Sequence, residues 1–390
     1  WMYYMRCVVC KEGVLMIYFD NAATTKNKPQ EVYDAAYEYM KEIGVSPGRG
    51  SYRLGIEASR RLYRTRCCIG RFFGLTETDR VIFTKNSTEA INLLFNGLLQ
   101  NDAHVIISCF EHNAVLRPLE TLKRAGRIDY SVVRMDDLEL SPEEIYKKYA
   151  TEKTSLIGFT LASNLTGRIV FREDVFKYFK EKGINTFVDA SQGGGKLKLS
   201  MKEQGINYLA FTGHKDLLAI PGVGGLCCET RELLKPLIQG GTGIHGEEYV
   251  NPDIFPEGYE AGTLNMPAIF SLSASLSFIE REKSVIAKRE TMLIATLLSE
   301  LDKLDAVIVY DRDVERVSTF CFNIKGIPSD QVVAFLDKKD ICVRGGLHCA
   351  ILAHEAIKTV QTGAVRVSVN YQNSEEEVHL FLETIKELCG

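Results

Sequence analysis

Between residues 80 and 230, short apolar runs alternate with amphipathic stretches, and this alternation limits the possible folds more than any other feature of the chain. The runs are "RVIFT" (80–84), "HVIIS" (104–108), "SLIGFTL" (155–161), "NTFVDA" (185–190), "YLAFT" (208–212) and "GVGGLCC" (222–228). Most are β-branched or aromatic, and they are continuous rather than alternating with polar residues, as strands buried on both faces require. Between them, "STEAINLLFNGLLQ" and "REDVFKYFKEKG" read as helices, the second closed by a glycine. The pattern predicts an α/β fold around a mainly parallel sheet.

The last third reads differently. "PAIFSLSASLSFIEREKSVIAKRETMLIATLLSEL" predicts long helices, followed by short strands at "AVIVY", "VSTFCFNI" and "AVRVSVN" and an amphipathic terminal helix from about Ser374. The expected organisation is a large domain over 31–262 and a smaller α+β domain over 263–390, with residues 16–30 packing on the smaller one. Residues 1–15 read as a non-native or leader segment ahead of a start at Met16. Cys7 and Cys10 in that segment have zinc-knuckle spacing, but the chain has no second pair of similar spacing to complete four ligands.

Composition narrows the function classes. Of 390 residues, 45% are hydrophobic and 25% charged, with a net charge of -4 and no basic stripe, so nucleic acid is not an expected partner. No apolar run approaches the ~20 residues of a membrane span, so no membrane association is expected. The eleven cysteines are scattered and include the adjacent pairs Cys67-Cys68 and Cys227-Cys228, which points to a reducing cytoplasm rather than a disulfide framework.

In an open α/β sheet, ligands bind beyond the carboxyl ends of the strands. Beyond these runs lie Ser87-Thr88 opening a helix, Glu111 and His112, Asn164, Asp189 with Gln192, and Thr212-Gly213-His214-Lys215. Each has a plain structural alternative: Ser87-Thr88 as a helix cap, His112 as a hydrogen-bonded structural histidine, Asp189 as a cap, Lys215 as a surface lysine. Together they suit one ligand, a phosphorylated pyridine aldehyde. Lys215 would form its Schiff base, and Asp189 would pair with the protonated ring nitrogen. His112 would stack on the ring, Gln192 would bond the ring hydroxyl, and the helix start at Ser87-Thr88 would hold the phosphate.

The stretch "VRGGLHCAILAH" (343–354) allows three readings: a metal site, a reactive thiol or an inert buried cysteine. A metal is disfavoured, because adjacent His348 and Cys349 side chains point apart in an extended segment and no fourth ligand accompanies His354. His354 is expected to be structural.

With "YFDNAATT" (18–25), "NSTEAIN" (86–92), "EHNA" (111–114), "ASNLTG" (162–167), "VDASQ" (188–192), "TGHK" (212–215), "EAGT" (260–263), "RGGLHCA" (344–350) and "VRVSVNYQN" (365–373), the chain resembles the class V aminotransferase family of pyridoxal 5'-phosphate (PLP) fold type I, and within it group II cysteine desulfurases and selenocysteine lyases. The resemblance implies a large domain with a mainly parallel, seven-stranded sheet and a smaller α+β C-terminal domain. It makes Lys215 the cofactor-bound lysine, Asp189 the pyridine partner and His112 the stacking residue. Asn164 and Gln192 would contact the ring side, and Ser87, Thr88, Thr212 and His214 the phosphate. Gly262-Thr263 would reach the phosphate of a second subunit, implying a homodimer. Arg366 would clamp the substrate carboxylate, with Arg344 and Arg49 as secondary substrate contacts beside Asn164.

Two positions depart from the family pattern: Leu347 replaces the first of two histidines before the cysteine, and Leu264 interrupts "GTPN". The implied activity is conversion of L-cysteine to L-alanine, with Lys215 moving the α-proton and Cys349 taking the sulfur as a persulfide. A sulfur-acceptor protein would receive it, for purposes such as iron–sulfur cluster biogenesis. The alternatives are a selenocysteine lyase acting on L-selenocysteine, an aminotransferase or epimerase of the same fold, and a sulfur-trafficking protein that kept the fold without the chemistry.

Overall fold

The computed structural model describes residues 16–48 and 52–390. The chain begins with β1 (Ile17–Tyr18), α1 (Gln30–Glu38), a π-helical turn over Tyr39–Ile43 and α2 (Arg53–Phe72). There follow β2 (Val81–Thr84), α3 (Ser87–Leu98), β3 (Ala103–Ser108), α4 (Asn113–Arg124), β4 (Ile128–Val133), α5 (Pro142–Tyr149), β5 (Thr154–Thr160), α6 (Glu173–Glu181), β6 (Asn185–Asp189), β7 (Tyr208–Thr212) and β8 (Gly224–Cys228). The last third holds α7 (Met266–Leu301), β9 (Val307–Val309), β10 (Thr319–Ile324), α8 (Ser329–Asp337), β11 (Ile341–Cys342), α9 (Ile351–Ala356), β12 (Val365–Ser368) and α10 (Glu375–Cys389).

Seven strands form one sheet in the order β2-β8-β7-β6-β5-β3-β4. Neighbours are parallel from β7 across to β4, while β8 runs antiparallel to both β2 and β7. Each apolar run of the sequence contributes a strand. The seventh, β4, lies at the sheet edge with Asp129 exposed and its middle half-buried, so its sequence "IDYSVV" carries no continuous apolar run. Side chains on the two faces of the sheet fill separate apolar cores, one with Ile106, Ile157, Phe159 and Phe211, the other with Ile107, Leu156, Phe187 and Tyr208. At the start of β8, a Cβ on Gly224 would stand 2.6 Å from the Phe211 carbonyl and 2.7 Å from the Asn86 backbone. Only glycine lets β8 lie this close to the start of α3.

A third core joins Ile17 and Phe19 to Phe320, Phe322, Val365, Val367 and Phe381. It is covered by an antiparallel β12-β10-β9 sheet and a parallel β1-β11 pair. The long α7 serves two of these cores. Met266 through Ile279 pack in the large one and Leu293 through Leu301 in the C-terminal one. Asn265 caps it by accepting the Ala268 N–H, and Pro267 occupies its first turn, where no intrahelical donor is needed. We propose the division at 262/263 as a domain boundary with α7 as the shared spine. Among the described residues no helix is long and apolar enough to cross a membrane.

Arg66 on α2 and Glu260, just before Gly262-Thr263, form a buried ion pair through two bonds of 2.7 and 2.9 Å. Glu260 also accepts the Phe83 N–H at 2.6 Å, and Arg66 donates to the Val81 carbonyl. Glu260→Ala would strand both a guanidinium and an amide, so it is expected to cost about 3–5 kcal/mol in urea unfolding. A loss below about 1 kcal/mol, the level of an exposed pair, would contradict this reading.

Candidate active site

Because β8 is antiparallel to both of its neighbours, β2, β7, β6, β5 and β3 all end at one edge of the sheet. The chain leaves β3 towards β4 on one side and returns to β5 on the other, which opens a crevice beyond these ends. Asp189 closes β6 and is only 2% exposed. Its Oδ1 accepts the Ser191 N–H at 3.0 Å and the Ser191 hydroxyl at 2.5 Å. Oδ2 has no protein partner among the described residues, so one carboxylate oxygen of this nearly buried residue is left for a cation. Burial pushes the Asp189 carboxyl up, and the nearby Lys215 ammonium opposes this.

Lys215 lies on the turn after β7, partly open to the crevice. Burial of its charged end lowers its proton affinity, Asp189 raises it and the Arg366 guanidinium lowers it again. The turn itself is fixed by charge. Asp216 accepts the Gly193 N–H at 2.5 Å and the Lys196 ammonium at 3.1 Å, and Lys196 also pairs at 3.0 Å with Glu290 on α7. The sequence reading missed this network, since nothing local marks residues 216 and 290 as neighbours.

His112 is the N-cap of α4, its Nδ1 accepting the Ala114 N–H at 3.0 Å. Burial, then the Lys215 and Arg366 charges, hold it down at about 4, so the ring is neutral. Before it, Glu111 is fully buried, bound by the Ser108 hydroxyl and the Thr160 N–H at 2.7 Å, and burial pushes its carboxyl up to about 8.

The cap of α3 differs from the sequence-level alternative. Asn86 is the N-cap, accepting the Glu89 N–H at 3.0 Å, which places Ser87 and Thr88 inside the first turn. Their N–H groups stand among the donors that an α-helix start leaves unpaired. Thr212 Oγ1, at the end of β7, is buried without a partner. His214 Nδ1 meets the Thr24 hydroxyl at 3.0 Å, and burial beside Lys215 and Lys28 lowers its proton affinity to about 4. Such a group of donors suits a phosphate. Gln192 is buried, with its NH2 donated to the Ala22 carbonyl at 2.8 Å. Gly262 and Thr263 are exposed on this single chain, Gly262 at φ 94°.

Arg366 on β12 is buried and donates through Nη1 to the Asn164 carbonyl at 2.9 Å and through Nη2 to Asp20 at 2.6 Å. Its Nε is buried without an acceptor. Asp20 also pairs with Arg344 at 3.0 Å. Asp20 was legible only as part of "YFDNAATT"; its partner lies 346 residues on. Arg49 lies outside the described residues, as do Cys7 and Cys10.

Residues 348–349 require a correction. The segment is not extended: His348 and Cys349 sit at φ 51° and 54°, in the left-handed region. Each such non-glycine residue costs on the order of 1–3 kcal/mol and persists only where its surroundings fix it. Here the His348 carbonyl accepts Asn164 Nδ2 at 2.8 Å, and the Cys349 carbonyl accepts the Asn113 N–H at 2.8 Å. The exposed Cys349 therefore sits against the start of α4, lining a cavity of about 400 Å³ with His112, Thr88, Asn92 and Arg117. His354 is fully buried on α9. Among the described residues no group of three His, Cys, Asp or Glu side chains is placed to hold a metal ion.

The aminotransferase class-V family model matches residues 17–381. A probable cysteine desulfurase of Methanothermobacter thermautotrophicus is 32% identical over 383 residues, covering 96% of this chain and 95% of the relative. A probable cysteine desulfurase of Pyrococcus abyssi is 31% identical over 385 residues, covering 96% and 94%. Among solved structures, an apo cysteine desulfurase from Thermococcus onnurineus NA1 superposes with a TM-score of 0.87 at 29% identity, over 96% of this chain and 94% of that one.

Burial keeps His112, His214, His348 and His354 neutral, at about 4, 4, 3 and 4, with neighbouring cations adding to it at the first three. In the unfolded chain each would protonate near ~6.5. Their stabilising contribution is therefore fully present above that pH and drains away as pH falls toward the folded values. In protein carrying labelled histidine, these four rings, assigned by His→Gln substitution, should keep neutral-ring chemical shifts from pH 8 down to pH 5. A ring of the four that titrates near pH 6.5 would contradict its burial.

Proposed function

Because the chain belongs to the class-V aminotransferase family, we propose that it is a PLP-dependent cysteine desulfurase, converting L-cysteine to L-alanine and taking the sulfur onto Cys349 as a persulfide. The observation that carries this reading is Cys349 on a pinned loop, lining the same cavity as His112. An aminotransferase or epimerase has no need of a thiol there.

The residues present fit the cofactor. Asp189, itself nearly buried, offers an unpartnered carboxylate oxygen to the pyridinium, Lys215 the amine, and neutral His112 a ring to stack. The free N–H groups of Ser87 and Thr88, the unpartnered Thr212 hydroxyl and His214 face the phosphate's requirements. Asn164 Oδ1 is likewise buried without a partner, and with Gln192 it would serve the ring side. When bound, PLP supplies an electron sink for the bonds broken at the substrate's α-carbon.

The chain supplies the rest. Arg366 binds the substrate carboxylate: its Nε is spare, and its guanidinium matches a carboxylate when Asp20 yields Nη2. Arg344, which shares Asp20, is a secondary contact, and so is Arg49 by family pattern. Lys215 Nζ, its proton affinity lowered by burial, takes the α-proton and returns a proton to carbon. Cys349 Sγ, as thiolate, attacks the substrate sulfur. The S–S bond forms as the C–S bond breaks, and the electron pair of that bond stays with carbon, which gains a proton. Carbon is reduced and the two sulfurs are oxidised, so no outside oxidant is needed. A separate acceptor protein then takes the sulfur from Cys349, whose neighbour Leu347 is also exposed.

A homodimer belongs to the same proposal. Tyr33 and Tyr37 on α1, Met40 in the π-helical turn after it, Ile56 and Tyr63 on α2, and Tyr249 are large apolar side chains exposed on the single chain. Gly262-Thr263, exposed as well, would complete the phosphate site of the second copy. A cytoplasmic location is supported by the nine cysteines of the described residues, all free.

Two outcomes test the reading. Lys215→Ala should lose the visible absorbance that the protein acquires with PLP, and should slow alanine release by about 100- to 10,000-fold, the usual worth of a positioned proton-transfer group. Cys349→Ala should keep the absorbance but lose alanine formation from L-cysteine. Wild-type rates in that variant would refute persulfide transfer.

A further inference from the structure

The turn that carries Cys349 stands on a buried chain of hydrogen bonds behind it. His348 Nε2 meets the Arg344 carbonyl at 3.1 Å, His348 Nδ1 meets His354 Nε2 at 3.4 Å, and His354 Nδ1 meets the Thr359 hydroxyl at 2.7 Å. The two rings lie nearly parallel, 10° apart with centroids at 5.7 Å. A carbonyl only accepts, so with both rings neutral the Arg344 end fixes every donor in the series. His348 carries its proton on Nε2, and its Nδ1 accepts from His354 Nε2–H. His354 Nδ1 then accepts from the Thr359 hydroxyl. With both rings held neutral by burial, only this pattern of tautomers satisfies all four groups.

We propose that His354 and Thr359 are positioning residues for the Cys349 thiol, holding the left-handed turn at 348–349 through the His348 ring. This rests on the reading of Cys349 as the sulfur acceptor. Neither His354 nor Thr359 lines the cavity that holds Cys349. The histidine chain fixes His348 from behind, while Asn164 Nδ2 and the Asn113 N–H hold the carbonyls of His348 and Cys349 from the front. Asn164 also receives Arg366 Nη1, so the turn is registered against the carboxylate-binding arginine as well. Without the Thr359 hydroxyl, His354 Nδ1 has no donor. Moving the His354 proton to Nδ1 would then set two nitrogen lone pairs face to face. Either way the His348 ring loses its anchor, and two residues in strained φ are free to relax.

Thr359→Val is nearly isosteric and removes the donor alone. Thr359→Ser restores it, and His354→Phe removes the middle link. In PLP-loaded protein, iodoacetamide labelling of Cys349, read by peptide mass, gives the exposure and order of the thiol. Alanine release from L-cysteine gives kcat and KM. Thr359→Val and His354→Phe are expected to change the Cys349 labelling rate severalfold and to lower kcat about 10- to 100-fold with little change in KM, since the thiol and not substrate binding is displaced. Thr359→Ser should return both towards wild type.

The inference is overturned if Thr359→Val labels and turns over like wild type, or if Thr359→Ser is as impaired as Thr359→Val. It is overturned too if labelling rises equally at Cys68, Cys342 and Cys389, which marks general unfolding. Cys349→Ser in the same assay separates the two claims. If that variant makes alanine at the wild-type rate, the sulfur-acceptor reading fails, and the labelling rates alone then decide the positioning role.

Discussion

The central sheet is buried on both faces, so its strands can present polar groups only where they end. That constraint gathers Asp189, His112, Asn164, Thr212 and Lys215 at one edge, each within a few residues of a strand or helix terminus. Within the edge, charge is arranged sparingly. Asp189 has a single neighbouring hydroxyl and amide to steady it, and the Lys215 amine has no ion pair among the described residues. His112 is kept neutral by burial and by cations nearby. The protein thus gathers a carboxyl group, an amine and a flat neutral ring in one crevice, the kind of grouping that marks a functional site.

The C-terminal part brings the second half of the chemistry. β12 carries Arg366 to the crevice, and the loop from Arg344 to Cys349 follows it through the paired backbones of residues 344 and 366. Two asparagines, Asn113 and Asn164, receive that loop on the large-core side. The thiol is therefore exposed yet placed, a combination suited to a group that must meet a substrate on one side and an acceptor on the other. Asp20 bridges Arg366 and Arg344, one carboxylate partly offsetting two cations.

Much of this was legible in the sequence because it depends on local pattern. Continuous apolar runs marked six strands of the seven-stranded sheet, and the polar residues following them marked the crevice. β4 escaped because an edge strand is half-solvated and alternates. β1 and β11 escaped because two-residue strands carry no period at all. The left-handed turn at His348 and Cys349 was hidden since neither residue is glycine, and local sequence predicts an extended path there. The Asp20–Arg366 pair and the Lys196–Asp216–Glu290 network depend on residues distant in sequence meeting across the fold, which no spacing rule encodes. His348 lies in the left-handed turn and His354 on α9, so no single period relates them and their stacking became visible only in three dimensions.

The account stands on Cys349 receiving sulfur at a site built around Lys215. Mass analysis of the wild-type protein after brief exposure to L-cysteine, digested without reductant, measures this directly. The account predicts one added sulfur atom on the peptide containing Cys349, and none there in Lys215→Ala. Alanine produced with the added sulfur on a different cysteine, or with no sulfur retained by the protein at all, would contradict it.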